Sequence, residues 1–383
     1  MHYLKIACGF VCLLVFASNV WSMSHWSESR GVYDDICYLR QAHLFQRFGL
    51  RALDTDIARD DDGYLASKLK AIGYDRWADP AAAPCHILMP QSEKRVMQYP
   101  PGTGFLLALF PEGFQVIPLY VSATLIVFAL ALLAVFLARG PSFVAVATAF
   151  GCLAVYLMVN PTKASYSMAP TMAACALAGF LTASFSAAEQ PGRRLLLAGL
   201  TGFIIGLCVN FRLPNLFLAS GYLLFFGAAP LIFRKASLAA QGALFASMLL
   251  LGMTPTLLAN AINAGSPFTT TYGGVDVVPP ALSFHIVWQY VVDMQFVLIL
   301  LAGASCGVLW RSNRAGGKQV AAITAGNLVV NLAFFLSHPI FTPYYTIPVA
   351  MLSLWSLLFA SVIEPPEAVD GGLVGRAVGA RSC

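Results

Sequence analysis

Long apolar runs separated by short polar connections dominate the chain. An apolar helix of about 20 residues spans the hydrocarbon core of a bilayer, which is roughly 30 Å thick. In lipid every backbone amide must be paired within the protein, which favours helices. The pattern predicts an all-α polytopic membrane protein with about ten transmembrane helices. The predicted spans are residues 4–22, 115–138, 141–159, 168–187, 194–211, 213–233, 237–262, 284–310, 319–337 and 344–363.

The composition agrees with this class. Of 383 residues, 58% are hydrophobic and 11% are charged, too few charges for the surface of a soluble domain of this length. No basic block or zinc-type spacing is present, so nucleic acid is not expected as a partner. The first run follows Lys5 and could be a cleaved signal peptide. Trp21 and Trp26 resemble interface anchors and favour a retained helix.

Lysine and arginine are concentrated in alternate connections, which predicts an orientation. With the N-terminus in the cytoplasm, the short outside loops carry only Lys163 and Arg212, and every inside connection carries a positive charge. By the positive-inside rule both termini are then cytoplasmic. Residues 1–363 form the membrane domain, and residues 364–383 are predicted to be a flexible cytoplasmic tail. The inside charges are Lys5, Arg139, Arg193, Arg194, Arg234, Lys235, Arg311, Arg314, Lys318, Arg376 and Arg381.

One connection, residues 23–102, is much longer and more polar than the others and falls outside the cytoplasm. Apolar spacing in residues 34–50 predicts an amphipathic helix on the membrane surface. The apolar run 105–110 is too short to span and suggests a re-entrant or interfacial turn. Cys37 and Cys85 are the only cysteines in this loop, so they could pair if it faces an oxidising compartment.

Two acidic groups in the long loop are candidates for chemistry. Asp34 and Asp35 open the amphipathic helix, whose N-terminus would hold one carboxylate ionised while crowding raises the pKa of the other. Such a pair can act as a general base, although helix capping explains it equally simply. The run Asp60-Asp61-Asp62-Gly63 lacks the ligand spacing of a calcium loop and predicts a solvated turn.

Further polar residues lie near the predicted outer ends of the spans. Arg212 needs an anion or a carbonyl partner, and a phosphate suits its guanidinium; snorkelling to the interface is the alternative. Lys163 is a second basic candidate. Asp293 is predicted inside the eighth span, either lining a cavity or bonding to Asn327 or Asn331 on a neighbouring helix.

In their order along the chain, these features resemble the GT-C superfamily of membrane glycosyltransferases. The most similar groups are protein O-mannosyltransferase-like, aminoarabinose-transferase-like and rhizobial lipopolysaccharide-core-transferase-like enzymes. An acid pair opens a helix after the first span, a Pro-Pro-Gly element precedes the second, and an Arg-Leu-Pro step ends a later one. The matching residues are Asp34-Asp35, Tyr99-Pro100-Pro101-Gly102, Arg212-Leu213-Pro214, Asn260, Gly265-Ser266-Pro267 and Tyr272.

The resemblance implies that a sugar is transferred from a polyprenyl-phosphate donor to a hydroxyl of a lipid, glycan or protein, outside a bacterial inner membrane. It implies Asp34 as the base and Asp35 as its partner, with Arg212 and Lys163 on the donor phosphate. The substrate cavity would include Tyr99, Tyr272, Asp293, His338 and Tyr345. No cofactor and no metal are expected, and the pathway would be cell-envelope lipopolysaccharide or glycan synthesis.

The chain also departs from the family. Many relatives carry a further C-terminal domain, and the acid pair is Asp-Asp where Asp-Glu is more usual. A transporter or lipid flippase would explain Asp293 and Arg212, but not the acid pair in a long loop. A non-catalytic scaffold on the same fold is the third alternative.

Overall fold

The computed structural model describes residues 1–29, 32–160, 164–273, 279–312, 314, 316–338 and 340–363. Lys163 and the predicted tail, residues 364–383, lie outside the described residues. The α-helices within these ranges are α1 (His2–Met23), α2 (Tyr33–Phe48), α3 (Tyr64–Ala71), α4 (Gly102–Ala108), α5 (Val116–Leu137), α6 (Pro141–Leu157), α7 (Met168–Ala187), α8 (Pro191–Val209), α9 (Ser220–Phe233), α10 (Ala236–Ala264), α11 (Phe284–Val292), α12 (Phe296–Arg311), α13 (Gly317–Ser337) and α14 (Ile347–Val362). The strands are β1 (His86–Met89) and β2 (Lys94–Met97).

The helices confirm an all-α polytopic membrane protein. Among the described residues, seven helices are long and apolar enough to cross a membrane, or eight if one bent pair counts as a single span. Two further apolar helices, α6 and α14, are shorter. The predicted number of ten spans therefore stays a prediction. The seven are His2–Met23, Val116–Leu137, Met168–Ala187, Pro191–Val209, Leu213–Phe233, Ala236–Ala264 and Gly317–Ser337.

The predicted eighth span is broken. Helices α11 and α12 meet at an angle of 80°, so the prediction of one continuous helix over residues 284–310 is wrong. Asp293 ends α11 with extended backbone, and its carboxylate accepts the backbone N–H of Gln295 at 2.8 Å. Asp293 thus satisfies a free amide at the start of α12. The proposed partners Asn327 and Asn331 instead bond to Gly221 and to the carbonyl of Phe217.

Helix α1 packs into the bundle beside α5 and α6. Phe16 stacks on Phe128 of α5 at 4.7 Å between ring centroids. The buried amide of Asn19 donates to the carbonyl of Val155 in α6 at 2.5 Å. These contacts join α1 to the rest of the helical bundle, and its retention after synthesis stays a prediction.

Helices α8 and α10 touch through their backbones because glycines face the contact. A methyl group on Gly202 would overlap the carbonyl of Phe245, and one on Gly206 would overlap the carbonyl of Leu249. Gly252 of α10 faces α8 in the same way. Small residues are the usual means by which membrane helices approach closely. This contact sets the position of the segment after α8, which carries Arg212.

The long loop is folded rather than extended along a surface. Ten of the sixteen residues of α2 are buried. The prediction of an amphipathic helix lying on the membrane surface is therefore wrong. Ile36 packs with Leu65 and Leu69 of α3, while Leu39 and Leu107 of α4 share the main core. The strands β1 and β2, which the sequence analysis did not predict, pair as an antiparallel hairpin. A disulfide joins Cys37 of α2 to Cys85, just before β1.

We expect Gly206→Ala to lower the stability of the membrane domain by about 1–3 kcal/mol, because the added methyl forces α8 away from the Leu249 carbonyl. Thermal unfolding of the purified protein in detergent measures this. The matched control is Gly303→Ala in α12, where a methyl would meet nothing within 4 Å and alanine is the better helix former. Equal melting temperatures for the two variants would contradict the close α8–α10 contact.

Candidate functional site

Asp34 lies in the first turn of α2 and is half-buried beside Tyr99. The Tyr99 hydroxyl donates a short hydrogen bond to Asp34 Oδ1. Asp35, the next residue, is fully buried.

The Pro-Pro-Gly element holds Tyr99 in place through two glycines. The amide of Gly102 donates to the backbone carbonyl of Asn210 at 2.8 Å, and a Cβ on Gly102 would lie 2.7 Å from that oxygen. The amide of Gly104 donates to Gln41 Oε1 at 3.2 Å, and a Cβ there would overlap the Gln41 side chain. Only glycine lets α4 fit between α2 and the end of α8. Gly102 and Gly104 therefore allow α4 to pack closely against Asn210 and Gln41.

Arg212 follows α8 in extended conformation, and its side chain is 8% exposed. Its guanidinium lies over the rings of Tyr344 and Tyr345, 4.9 Å from each centroid, and Nη1 contacts Met168 Sδ at 2.9 Å. Within the described part of the chain, no carboxylate forms an ion pair with Arg212. Aromatic rings stabilise a cation without neutralising it, so the positive charge remains available to an anion.

A tyrosine box lies between Asp34 and Arg212; we define it as Tyr38, Tyr99, Tyr272, Tyr344 and Tyr345. Tyr38 stacks on Tyr99 at 4.9 Å, and Tyr272 lies 6.3 Å from Tyr99. Burial raises the pKa of Tyr38, the charge of Asp34 raises it further, and the charge of Arg212 lowers it. The charges of Asp34 and Arg212 therefore both act on the Tyr38 hydroxyl. The raised pKa keeps Tyr38 a neutral phenol that can donate a hydrogen bond.

Two members of the tyrosine box, Tyr38 and Tyr344, were not predicted from the sequence. Tyr38 stands four residues after Asp34 on α2, a spacing that places two side chains on the same helix face and could have identified it. No local pattern in the sequence identifies Tyr344, Met168 or Gln41 as part of the site. These contacts join residues far apart in the sequence.

For two predicted cavity residues, His338 and Asp293, the structure shows other contacts. His338 ends α13 and stacks on Phe334 at 5.9 Å, while Asp293 caps α12 as described above. No hydrogen bond or ring contact between described residues joins either of them to Asp34 or Arg212. Tyr99, Tyr272 and Tyr345 do meet near Asp34 and Arg212. Lys163 lies outside the described residues.

An apolar groove of about 390 Å³ reaches Phe211, the residue before Arg212. It lies between α4, α5, α7 and α8, and its lining includes Leu106, Leu119, Ile126, Pro170 and Phe211. Phe211 directly precedes Arg212, and Pro170 follows Met168 by two residues. A long apolar chain in this groove would contact Phe211, next to Arg212 in the sequence.

The buried Arg40 anchors α2 to the rest of the long loop. Its guanidinium donates to the carbonyls of Thr55 at 3.2 Å and Asp56 at 3.0 Å, and its Nε lies 3.5 Å from Asp60. Asp60 also accepts the backbone N–H of Leu65 at 3.0 Å, at the start of α3. The prediction of a solvated turn is therefore wrong for this residue.

The two neighbouring carboxylates of that run are also paired. Asp61 lies 2.6 Å from Arg47, and Asp62 lies 2.7 Å from His43 Nε2. Across the part of the chain that the structure describes, no three His, Cys, Asp or Glu side chains are arranged to hold a metal ion.

His86 completes the anchor as an uncharged acceptor. Its Nδ1 lies 2.7 Å from the carbonyl of Pro84, so the proton is assigned there, and Nε2 accepts from Arg40 Nη1 at 3.2 Å. Burial and the positive charge of Arg40 lower the pKa of His86 to about 3. Protonation would place a second buried cation against Arg40.

Comparisons of the chain with protein-family models, with curated proteins and with solved structures give no match.

We expect the long loop to lose stability as the pH falls below about 6.5, the ordinary pKa of histidine. The unfolded loop binds a proton at His86 there, whereas the folded loop does so only near a pKa of about 3. Protection factors from hydrogen–deuterium exchange of the β1–β2 hairpin at pH 7 and pH 5, each referred to the intrinsic exchange rate at that pH, measure the change. In His86→Gln the loss of protection at pH 5 should largely disappear.

The control for this experiment is His25→Gln, an exposed histidine at the start of the same loop. It should retain the full pH dependence of the unaltered protein. The His86 assignment is refuted if His86→Gln and the unaltered protein respond equally to pH.

Proposed function

We propose that the chain is an inverting glycosyltransferase of the GT-C type. It would move a sugar from a polyprenyl-phosphate donor to a hydroxyl of a lipid, glycan or protein acceptor on the extracytoplasmic side. The observation that carries the proposal is the tyrosine box, which has the Asp34 carboxylate on one side and the buried Arg212 guanidinium on the other. A proton acceptor and an anion stabiliser on either side of one site are what this transfer requires.

In the proposed reaction, Asp34 takes the proton of the acceptor hydroxyl as its oxygen bonds to the anomeric carbon. The bond between that carbon and the phosphate oxygen breaks, and its electron pair leaves with the lipid phosphate. The phosphate thereby gains a negative charge. Arg212 would stabilise this charge, since its own charge is balanced by no described carboxylate.

The apolar groove supports a lipid-linked donor. It brings an apolar surface of α5 and α7 up to Phe211, the residue before Arg212. A polyprenyl chain in this groove and a phosphate on Arg212 can belong to one molecule. A water-soluble sugar nucleotide has no apolar chain that could occupy the groove.

A separate polar pocket, lined by Tyr99 together with Gln41, Asn260, Asn263 and Tyr272, has only about 10 Å³ of free volume. That is room for about one water molecule. Sugar binding there requires movement of the segment that carries Thr271, whose hydroxyl donates to the Gln98 carbonyl at 3.0 Å. The described conformation is thus closed at this pocket.

One observation favours the alternative of a transporter or flippase. The α11–α12 break at Asp293 is the kind of discontinuous helix on which transporters build ion sites. Transporter repeats would place a second break at a matching position, and the described residues contain one bent pair. No hydrogen bond or ring contact between described residues joins Asp293 at this break to Asp34 or Arg212. Sugar transfer therefore remains our proposal.

We expect Asp34→Asn to abolish sugar transfer while the protein still inserts and folds, because the amide cannot accept the proton. The masses of surface glycolipids from cells with and without the gene first identify the product. Restoration of that product by each variant is then measured by mass spectrometry. The control Asp75→Asn changes an exposed carboxylate of the same loop and should restore the product fully.

Full product formation by Asp34→Asn would show that Asp34 is not the base. If cells with and without the gene have the same glycolipids, and Asp293→Asn alters the flux of a solute or lipid, the transporter is correct. If the glycolipid product requires the gene but still forms with Asp34→Asn and with Asp293→Asn, the chain acts as a scaffold.

For Arg212→Ala we expect roughly a tenfold to hundredfold lower kcat/KM for the lipid-linked donor, the cost of one hydrogen bond to a charged group. Kinetics in proteoliposomes with synthetic polyprenyl-phosphate sugars measure this. Arg212→Lys keeps the charge and should lose less. The control Arg51→Ala removes an exposed arginine of the long loop and should leave donor kinetics unchanged. Unchanged donor kinetics in Arg212→Ala would exclude a role of Arg212 in phosphate binding.

A further inference from the structure

A second groove of about 600 Å³ lies at the opposite end of the bundle from Arg212, between α6, α12 and α14. Arg212 follows the end of α8 and Tyr345 precedes α14, whereas this groove reaches Ser361 in the last turn of α14. The distribution of Lys and Arg along the sequence predicts that this end of the bundle faces the cytoplasm. No part of the proposed sugar transfer uses this groove.

The walls of this groove are apolar and face outward. Val146 of α6 is 57% exposed and Val308 of α12 is 73% exposed, while Leu354 and Leu358 of α14 are buried and form the floor. Valine side chains exposed to this degree on membrane helices contact lipid. The groove is therefore open to the hydrocarbon of the bilayer along its length.

Arg314 lies at the end of the groove. Its guanidinium donates to the carbonyl of Ser361 in the last turn of α14 and lies 4.9 Å above the ring of Phe143. Among the residues that the structure describes, no carboxylate forms an ion pair with it. Arg314 is half-buried and held in position, yet its positive charge is not neutralised by a described acid.

The two short helices bring this charge within reach of head groups. Helices α6 and α14 have 17 and 16 residues, which gives lengths of roughly 26 and 24 Å. Both are shorter than the hydrocarbon core, about 30 Å. A bilayer adapts to short helices by thinning locally. A phosphate can then reach Arg314 while its acyl chain remains in the groove.

We propose that this groove binds an anionic phospholipid of the cytoplasmic leaflet. The phosphate pairs with the Arg314 guanidinium, and one acyl chain lies between α6 and α12 over the floor formed by α14. Basic pockets between membrane helices on the cytoplasmic side are the usual form of such sites. The charge of Arg314 selects the anionic head group, and the apolar walls require a lipid rather than a free anion.

The test compares retained lipid in matched variants of the full chain. Each is reconstituted in nanodiscs of equal amounts of phosphatidylcholine and phosphatidylglycerol, extracted into detergent, and analysed by native mass spectrometry. Arg314→Gln should retain roughly tenfold less phosphatidylglycerol, the expected loss for one charge-assisted hydrogen bond. Ala304→Trp should fill the groove without changing the charge and should lower retention as well, since Ala304 lines it.

The control is Arg311→Gln, which removes an exposed arginine three residues away in the last turn of α12 and should retain phosphatidylglycerol normally. Equal loss in Arg311→Gln would overturn the proposal in favour of a diffuse charge effect. Normal retention in Arg314→Gln would overturn it directly. If inorganic phosphate raises the melting temperature in detergent as much as phosphatidylglycerol does, the site binds a free anion and the lipid proposal is wrong.

Discussion

Within a bilayer an interrupted helix needs a partner for its free backbone groups, and Asn210 supplies that partner where α10 contains Pro255. Its side-chain amide donates to the Gly252 carbonyl at 2.7 Å and accepts the Thr256 N–H at 3.0 Å, so it is inserted into the hydrogen-bond ladder of α10. Its own carbonyl accepts from Gly102 at 2.8 Å. One residue therefore fixes α8, α10 and the Pro-Pro-Gly element relative to each other.

The long loop is held to this assembly by buried polar anchors. Asn263, near the end of α10, accepts the Thr55 N–H at 3.0 Å and donates to the Leu53 carbonyl at 2.7 Å. Arg40 binds the same stretch from α2, and the Cys37–Cys85 disulfide closes the loop on itself. An ordered loop is required for any chemistry at Asp34, because a carboxylate on a mobile segment cannot be aimed at a bound hydroxyl.

The two charges of the candidate site are stabilised by different means. Asp34 lies in the first turn of a helix and accepts a hydrogen bond from the Tyr99 hydroxyl. Among the described residues, the Arg212 guanidinium contacts two aromatic faces and a thioether, which stabilise a cation without neutralising it. Arg314, at the other end of the bundle, is held over Phe143 and a helix-terminal carbonyl in a similar way. Both arginines are positioned, and neither is paired with a described acid.

The sequence by itself determined the membrane class and most of the helical segments, and it indicated Asp34 and Arg212 as polar residues near helix ends. Hydropathy is a property of each segment alone, so it can be inferred without knowing the neighbours. Only the tertiary structure decided that α2 is buried, that the eighth segment bends at Asp293, and that Tyr38 and Tyr344 join the site. These features depend on contacts between distant segments, whose register follows from side-chain packing and backbone hydrogen bonds rather than from local periodicity.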